Sequence, residues 1–187
     1  MRRGFVTVLA SILTLVLAFP LVAAENAGVS MSDTVVVGSE KLILNGMGLR
    51  KKAIFKVYVA GLYLEEKQSD PAAILAADEK RSLIMHFVRN VGADSICGGW
   101  DDGLENNTAG ASAEVKKQFA TLCTWMEDVS DGDRLVFTYV PGEGTEVTVK
   151  ESSKGKLEGK AFADALFACW LGSSPPSADF KKGLLKG

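Results

Sequence analysis

The chain has 187 residues and a formal net charge of −2, the size of a single domain. Mildly acidic with scattered lysines, it lacks the electrostatic footprint of a nucleic-acid binder. One histidine and three cysteines without a CxxC pair exclude a zinc site of the usual Cys/His kind.

In chain order, Arg2 and Arg3 precede an apolar run from Phe5 to Val22, broken by Thr7, Ser11, Thr14 and Pro20 and closed by Ala23 and Ala24. This is the three-part layout of a secretory signal. Pro20 and the lack of charge after the run argue against a membrane anchor. Residues 1–24 are therefore expected to be a cleaved signal and 25–187 one domain, periplasmic or secreted. No later apolar run approaches the length that spans a bilayer, so the processed protein is not expected to be an integral membrane protein.

The β-branched run 33–37 and the run 41–44 read as short strands around a turn at Gly38-Ser39-Glu40. Asn45-Gly46-Met47-Gly48 reads as a glycine-rich bend. Period-two alternation of Phe55, Val57 and Val59 with Lys56 and Tyr58 predicts one long strand over 53–64. Asp70-Pro71 is an N-cap followed by Pro at the first helical position and predicts a short helix to about Ala77. Residues 81–88 read as a strand, with Leu83, Met85 and Phe87 on one face and Ser82 and His86 on the other.

A helix capped by Asp94 or Ser95 is expected to run toward Asn106. A second is expected over 112–129, with Val115, Phe119, Leu122, Met126 and Val129 as its apolar stripe. Trp125 lies one position off that stripe, which places it at the edge of a cleft. Residues 135–140 and 146–151 form a hairpin around Pro141-Gly142-Glu143-Gly144. A buried helix follows over 161–171, stopped by Pro175-Pro176, and Ser177 caps a short last helix. Together these predict an α+β fold, an antiparallel sheet covered by helices.

Few of the residue patterns carry chemistry. Gly46-Met47-Gly48 lacks the third glycine of a dinucleotide fingerprint. His86 has no nucleophile motif beside it. Asp101, Asp102 and Glu105 lack the spacing of a cation loop. No metal or cofactor is indicated. Cys97 and Cys123 can form a disulfide in an oxidising compartment, or all three cysteines can be small buried hydrophobes. Arg50 has two readings. Its guanidinium can hold a carboxylate or phenolate in bidentate fashion at a sheet edge, or it can be solvated beside Lys51 and Lys52.

Two blocks of sequence carry a resemblance. Gly46-Met47-Gly48-Leu49-Arg50, followed by Phe55-Lys56-Val57-Tyr58-Val59-Ala60-Gly61-Leu62-Tyr63-Leu64-Glu65, resembles the opening of chalcone isomerase. The run from Phe162 to Pro175, with its Cys169-Trp170-Leu171-Gly172 core, is similar to that family's C-terminal helix and loop, in the form of its bacterial exported branch.

The resemblance implies a large antiparallel sheet covered on one side by helices, an open-faced sandwich with a ligand cleft between the layers. It matches Arg50 to the family's catalytic arginine and places Tyr58 where a polar threonine is expected. It also places Trp100 and Asn107 at the positions of a helix-borne tyrosine and asparagine, with Asn106 as a rival to Asn107.

Three functions follow from it. A binder of a fatty acid or similar small amphipathic acid would use Arg50, Tyr58, Trp100 and Asn107. An isomerase of the chalcone type would use Arg50, Tyr58 and Asn107 as catalytic residues. Its polar network is altered at two positions, and loss of one stabilising donor typically costs about 10²–10³ in rate. A structural or partner-binding protein would have a filled, inert core, its protein partners unknown. The first reading needs only the retained arginine and leads the other two.

Overall fold

Period-two strands dominate the first half of the chain, and they assemble into one sheet. The computed structural model describes residues 23–186. The expected signal segment lies outside the described residues except for Ala23 and Ala24, which open a strand. Strands β1 (Ala23–Asn26) and β2 (Val29–Ser32) form a separate two-stranded ribbon.

Seven strands make the main sheet: β3 (Thr34–Val37), β4 (Glu40–Lys52), β5 (Phe55–Leu64), β6 (Arg81–Phe87), β7 (Arg134–Val140), β8 (Gly144–Val149) and β9 (Ser152–Leu157). They lie in chain order, and every neighbouring pair is antiparallel. Helix α1 (Pro71–Ala76) lies between β5 and β6. Helices α2 (Ala93–Asn107) and α3 (Ala113–Thr124) lie between β6 and β7, and α4 (Lys160–Leu171) and α5 (Ala178–Leu184) close the chain.

Strand periodicity divides the apolar residues between two cores. Tyr58, Ala60 and Leu62 of β5 join Leu83, Met85 and Phe87 of β6 and the helices in the larger cluster. Val59 and Tyr63 point the other way and pack with Val29 and Met31 of the ribbon. Strand β5 is therefore buried on both faces from Tyr58 onward. Both clusters are built from residues between Ala24 and Leu185, so the segment from Ala23 carries its own core. Helix α4, buried along almost its whole length from Phe162 to Leu171, is the keystone of the helical layer.

Three expectations are corrected. The glycine-rich bend at 45–48 is the middle of β4, which runs unbroken through it. The glycines are there for close approach: a Cβ on Gly46 would lie 2.3 Å from the Gly183 carbonyl oxygen, and one on Gly48 would lie 2.6 Å from that of Phe180. Helix α5 thus rests directly on the backbone of β4. The helix expected over 112–129 stops at Thr124, because Val129 pairs with Val91 in an isolated bridge. The stripe residues Met126 and Val129 remain buried beyond the helix end. Helix α2 starts at Ala93, and its first N–H is capped from afar by the Asp128 carboxylate at 2.9 Å rather than by Asp94 or Ser95. Strand β9, with only Leu157 buried, has no apolar alternation to announce it.

The local caps behave as the residues dictate. Asp70, Ser112 and Ser177 each accept a backbone N–H of the helix they precede. Arg81, 1% exposed, pins three elements together. It donates to the Ile74 carbonyl at 2.8 Å and to the Asp164 carboxylate, and sits 4.9 and 5.0 Å from the ring centroids of Phe167 and Tyr139. Asp164 also receives the Lys160 ammonium at 2.6 Å. Cys97 and Cys123 form a disulfide joining α2 to α3, and Cys169 is a buried free thiol.

Candidate functional site

The front of β5 and β6 and the faces of α2 and α4 do not close completely on one another. Between them lies a cavity of about 100 Å³, walled by Tyr58, Met85, Phe87, Ile96, Trp100 and Trp170 among others. Tyr58 is there because period two on β5 turns it toward the helices. Trp100 is there because it shares the inner face of α2 with Ile96 and Leu104, at helical spacing. A second hollow of about 280 Å³ between α1 and the ends of β5 and β6 is lined by Glu66, Lys67, Glu79 and Lys80. Its mixed charges suit solvent better than an apolar ligand.

Polar groups in the cavity are few. Trp170 donates its indole N–H to the Tyr58 hydroxyl at 3.2 Å. The phenol therefore accepts from Trp170 and keeps its own proton for donation. Burial pushes its pKa up to about 12, against the smaller opposing pulls of the Trp170 hydrogen bond and the Arg50 charge, so it is neutral at physiological pH. Trp100 stands edge-on to Trp170 with centroids 5.3 Å apart. It is 4% exposed, and its Nε1 has no partner among the described residues. A buried donor left unsatisfied costs about 1–3 kcal/mol.

Tyr58 and Trp100 thus both line one largely apolar chamber, with Ser95 as a further polar residue of its wall. Its wall includes no carboxylate and no histidine, and the Cys169 thiol is pushed by burial to a pKa of about 12. Such a site can hold an acceptor oxygen on an apolar body. It has no group of its own that exchanges protons near neutrality.

The four residues singled out from the sequence divide. Tyr58 and Trp100 both line the cavity. Arg50, paired across the sheet with Tyr58, stands beside the cavity rather than in its wall. Its Nη1 donates to the Pro176 carbonyl at 2.8 Å and to that of Lys51 at 2.9 Å, turning the guanidinium toward the α4–α5 loop. Asn107 is outside the cavity altogether. Its amide accepts from the Ser174 N–H at 2.7 Å and donates to the carbonyls of Ser174 and Gly103 at 3.0 Å each. It ties the end of α2 to the loop after α4, while the rival Asn106 is exposed and donates its amide to the Asp102 carbonyl within α2.

Trp125, expected at the edge of a cleft, lies against Gly155 of β9 instead. Trp170, read as core, is a wall of the cavity and the partner of Tyr58. The available signal was a tyrosine set in an otherwise apolar strand face, since a buried phenol needs a partner. His86 is half-buried on the opposite face of the sheet, its pKa lowered by burial and by Arg134. Asp101, Asp102 and Glu105 are exposed on α2.

Comparison with known proteins agrees with this geometry at the level of fold. The chain superposes on the crystal structure of the Arabidopsis thaliana fatty-acid binding protein AtFAP1 with a TM-score of 0.69 at 16% identity, covering 88% of this chain and 95% of that one. No curated protein sequence matches it significantly. The family model described as chalcone isomerase-like matches residues 23–186, the whole of the chain that the structure describes. By that match, the chain belongs to the chalcone isomerase-like family.

Proposed function

We propose that this protein is a non-catalytic binder of a fatty acid or similar small amphipathic acid, exported by its first 24 residues. The observation that carries the reading is that Trp100, whose Nε1 is unpartnered among the described residues, and Tyr58, whose hydroxyl proton is uncommitted, line the same largely apolar cavity. A carboxylate would satisfy both donors, and Arg50 would supply the balancing charge from the rim. Its Nη2 and Nε make no hydrogen bond among the described residues.

The fold likeness to a fatty-acid binding protein supports the same reading. An isomerase of the chalcone type would use Arg50, Tyr58 and Asn107 together, whereas Asn107 lies outside the cavity and is committed to Gly103 and Ser174. Small-molecule sites usually measure about 300–1,000 Å³. The cavity as it stands therefore takes a head group and the first methylenes, and a longer chain requires α2 to shift. That helix has an exposed Gly98-Gly99 pair in its interior, and a Cβ at either would meet nothing. Each glycine weakens a helix by about 0.5–1 kcal/mol relative to Ala.

The test uses the tryptophans of the site as reporters. Fatty acids of increasing chain length are titrated while indole fluorescence is followed. Native mass spectrometry of protein from its host identifies any retained acid. Hydrogen bonds to charged groups contribute about 1.5–3 kcal/mol, so Trp100→Phe should weaken binding roughly 10- to 150-fold, with Trp125→Phe unchanged. No saturable signal at any chain length, together with an empty native protein, would rule the reading out.

A further inference from the structure

The hairpin joining β4 to β5 carries a feature that ligand binding does not need. Ile54 is 87% exposed and Phe55 54%, side by side at the tip. Single exposed apolar residues are ordinary, but these two are ringed by cations. Residues 50–56 read Arg-Lys-Lys-Ala-Ile-Phe-Lys, four positive charges with no acid, in a chain whose net charge is negative. Arg89, from the end of β6, stacks on the Phe55 ring at 4.7 Å and brings a further cation to the tip. Among the described residues, Lys51, Lys52, Lys56 and Arg89 form no ion pair.

The turn itself does not call for this composition. Ala53 adopts φ +53°, where Gly or Asn would be the ordinary choice.

We propose that this tip docks on an anionic lipid membrane, with Ile54 and Phe55 entering the headgroup region and the cations meeting acidic lipids. Shape favours a bilayer over a protein partner. Specific protein interfaces bury about 800 Å² per side, far more than a two-residue tip offers. An interfacial anchor, by contrast, needs a small apolar insert plus positive charge. The tip leads directly into Arg50 and Tyr58, so docking brings the cavity end of the molecule to the membrane. The inference stands on the hairpin alone and does not require the ligand reading.

The experiment is vesicle co-sedimentation of the chain from Ala23, which holds both cores and omits the apolar N-terminal run. Vesicles are phosphatidylcholine alone, or with about one-third phosphatidylglycerol, a strongly anionic surface. Saturable binding to the anionic vesicles only is expected, weakening with added salt as the Debye length shrinks. Ile54→Ser/Phe55→Ser should abolish it. Each lysine near an anionic surface contributes about five-fold, so Lys51→Gln/Lys52→Gln/Lys56→Gln should cost about 100-fold. Val36→Ser, at the third exposed apolar residue, 71% exposed on β3, should change nothing.

Equal binding to both vesicle types, tip variants that sediment like wild type, or a tip that binds a protein and no vesicle would each overturn the proposal. The vesicles contain no free fatty acid, so failure here leaves the ligand reading intact, and the reverse.

Discussion

Replacing Tyr58 by Phe removes one oxygen atom from the cavity wall and leaves the ring in place. That oxygen is the acceptor for Trp170 Nε1 at 3.2 Å. Trp170 is 1% exposed, and losing its protein acceptor should cost about 1–3 kcal/mol. In a protein of 150–250 residues each kcal/mol shifts Tm by about 2–4 °C. Tyr58→Phe should therefore melt about 2–12 °C below wild type by circular dichroism. Adding Trp170→Phe removes the stranded donor, so the double variant should be more stable than the sum of the singles predicts, by about 1 kcal/mol or more. The same oxygen carries the proton offered to a carboxylate, and affinity for a fatty acid should fall roughly 10- to 150-fold. A Tyr58→Phe protein melting within about 1 °C of wild type, with additive effects in the double variant, would refute this account of the cavity wall.

Further consequences concern the frame around the cavity. Gly46→Ala places a Cβ against the carbonyl oxygens of Gly183 and Leu184, 2.3 and 2.8 Å away. Backbone cannot rotate aside, so a loss of about 1–3 kcal/mol and faster tryptic cleavage at Lys181 and Lys182 should follow. Opening the Cys97–Cys123 disulfide, 26 residues apart, by Cys97→Ser/Cys123→Ser should lower stability in urea by about 3.5 kcal/mol on the chain-entropy model. Cys169 should stay unreactive to maleimide until the protein unfolds, since burial raises its pKa to about 12. Tyr58 makes a signed prediction for pH. Its folded pKa of about 12 lies above the ordinary 10.0, so the folded state holds its proton longer than the unfolded state. Stability is unaffected below about pH 10 and falls as pH rises toward 12, by up to about 1.4 kcal/mol per pH unit from this group. Ultraviolet titration of the phenolates beside urea melts would check it, and a phenolate signal at pH 10 in the folded protein would contradict it.

Much of the fold was legible because its rules are local. Asp70, Ser112 and Ser177 cap helices through bonds to residues two or three positions on, and Leu83, Met85 and Phe87 share a face because a strand has period two. The failures had non-local causes. Gly46 and Gly48 look like a bend when read along the chain, yet their task is set by α5, which returns more than 130 residues later to lie on them. Helix α3 ends early because Val129 finds Val91 across a gap in sequence. Strand β9 exists because the edge of β8 offers hydrogen bonds, not because Ser152–Leu157 prefers extension.

At the site the same division holds. The sequence alone determined the sheet-and-helix class, the family resemblance, and the candidacy of Arg50, Tyr58, Trp100 and Asn107, because residue type and spacing carry that information. Only the tertiary structure decided which of them meet. It set Tyr58 and Trp100 in one cavity and made Trp170 the partner of Tyr58. It turned Arg50 to the Pro176 carbonyl and committed Asn107 to Ser174. Those outcomes depend on how α2 and α4 seat on the sheet. That seating follows from the packing of side chains far apart in sequence, which no local pattern records.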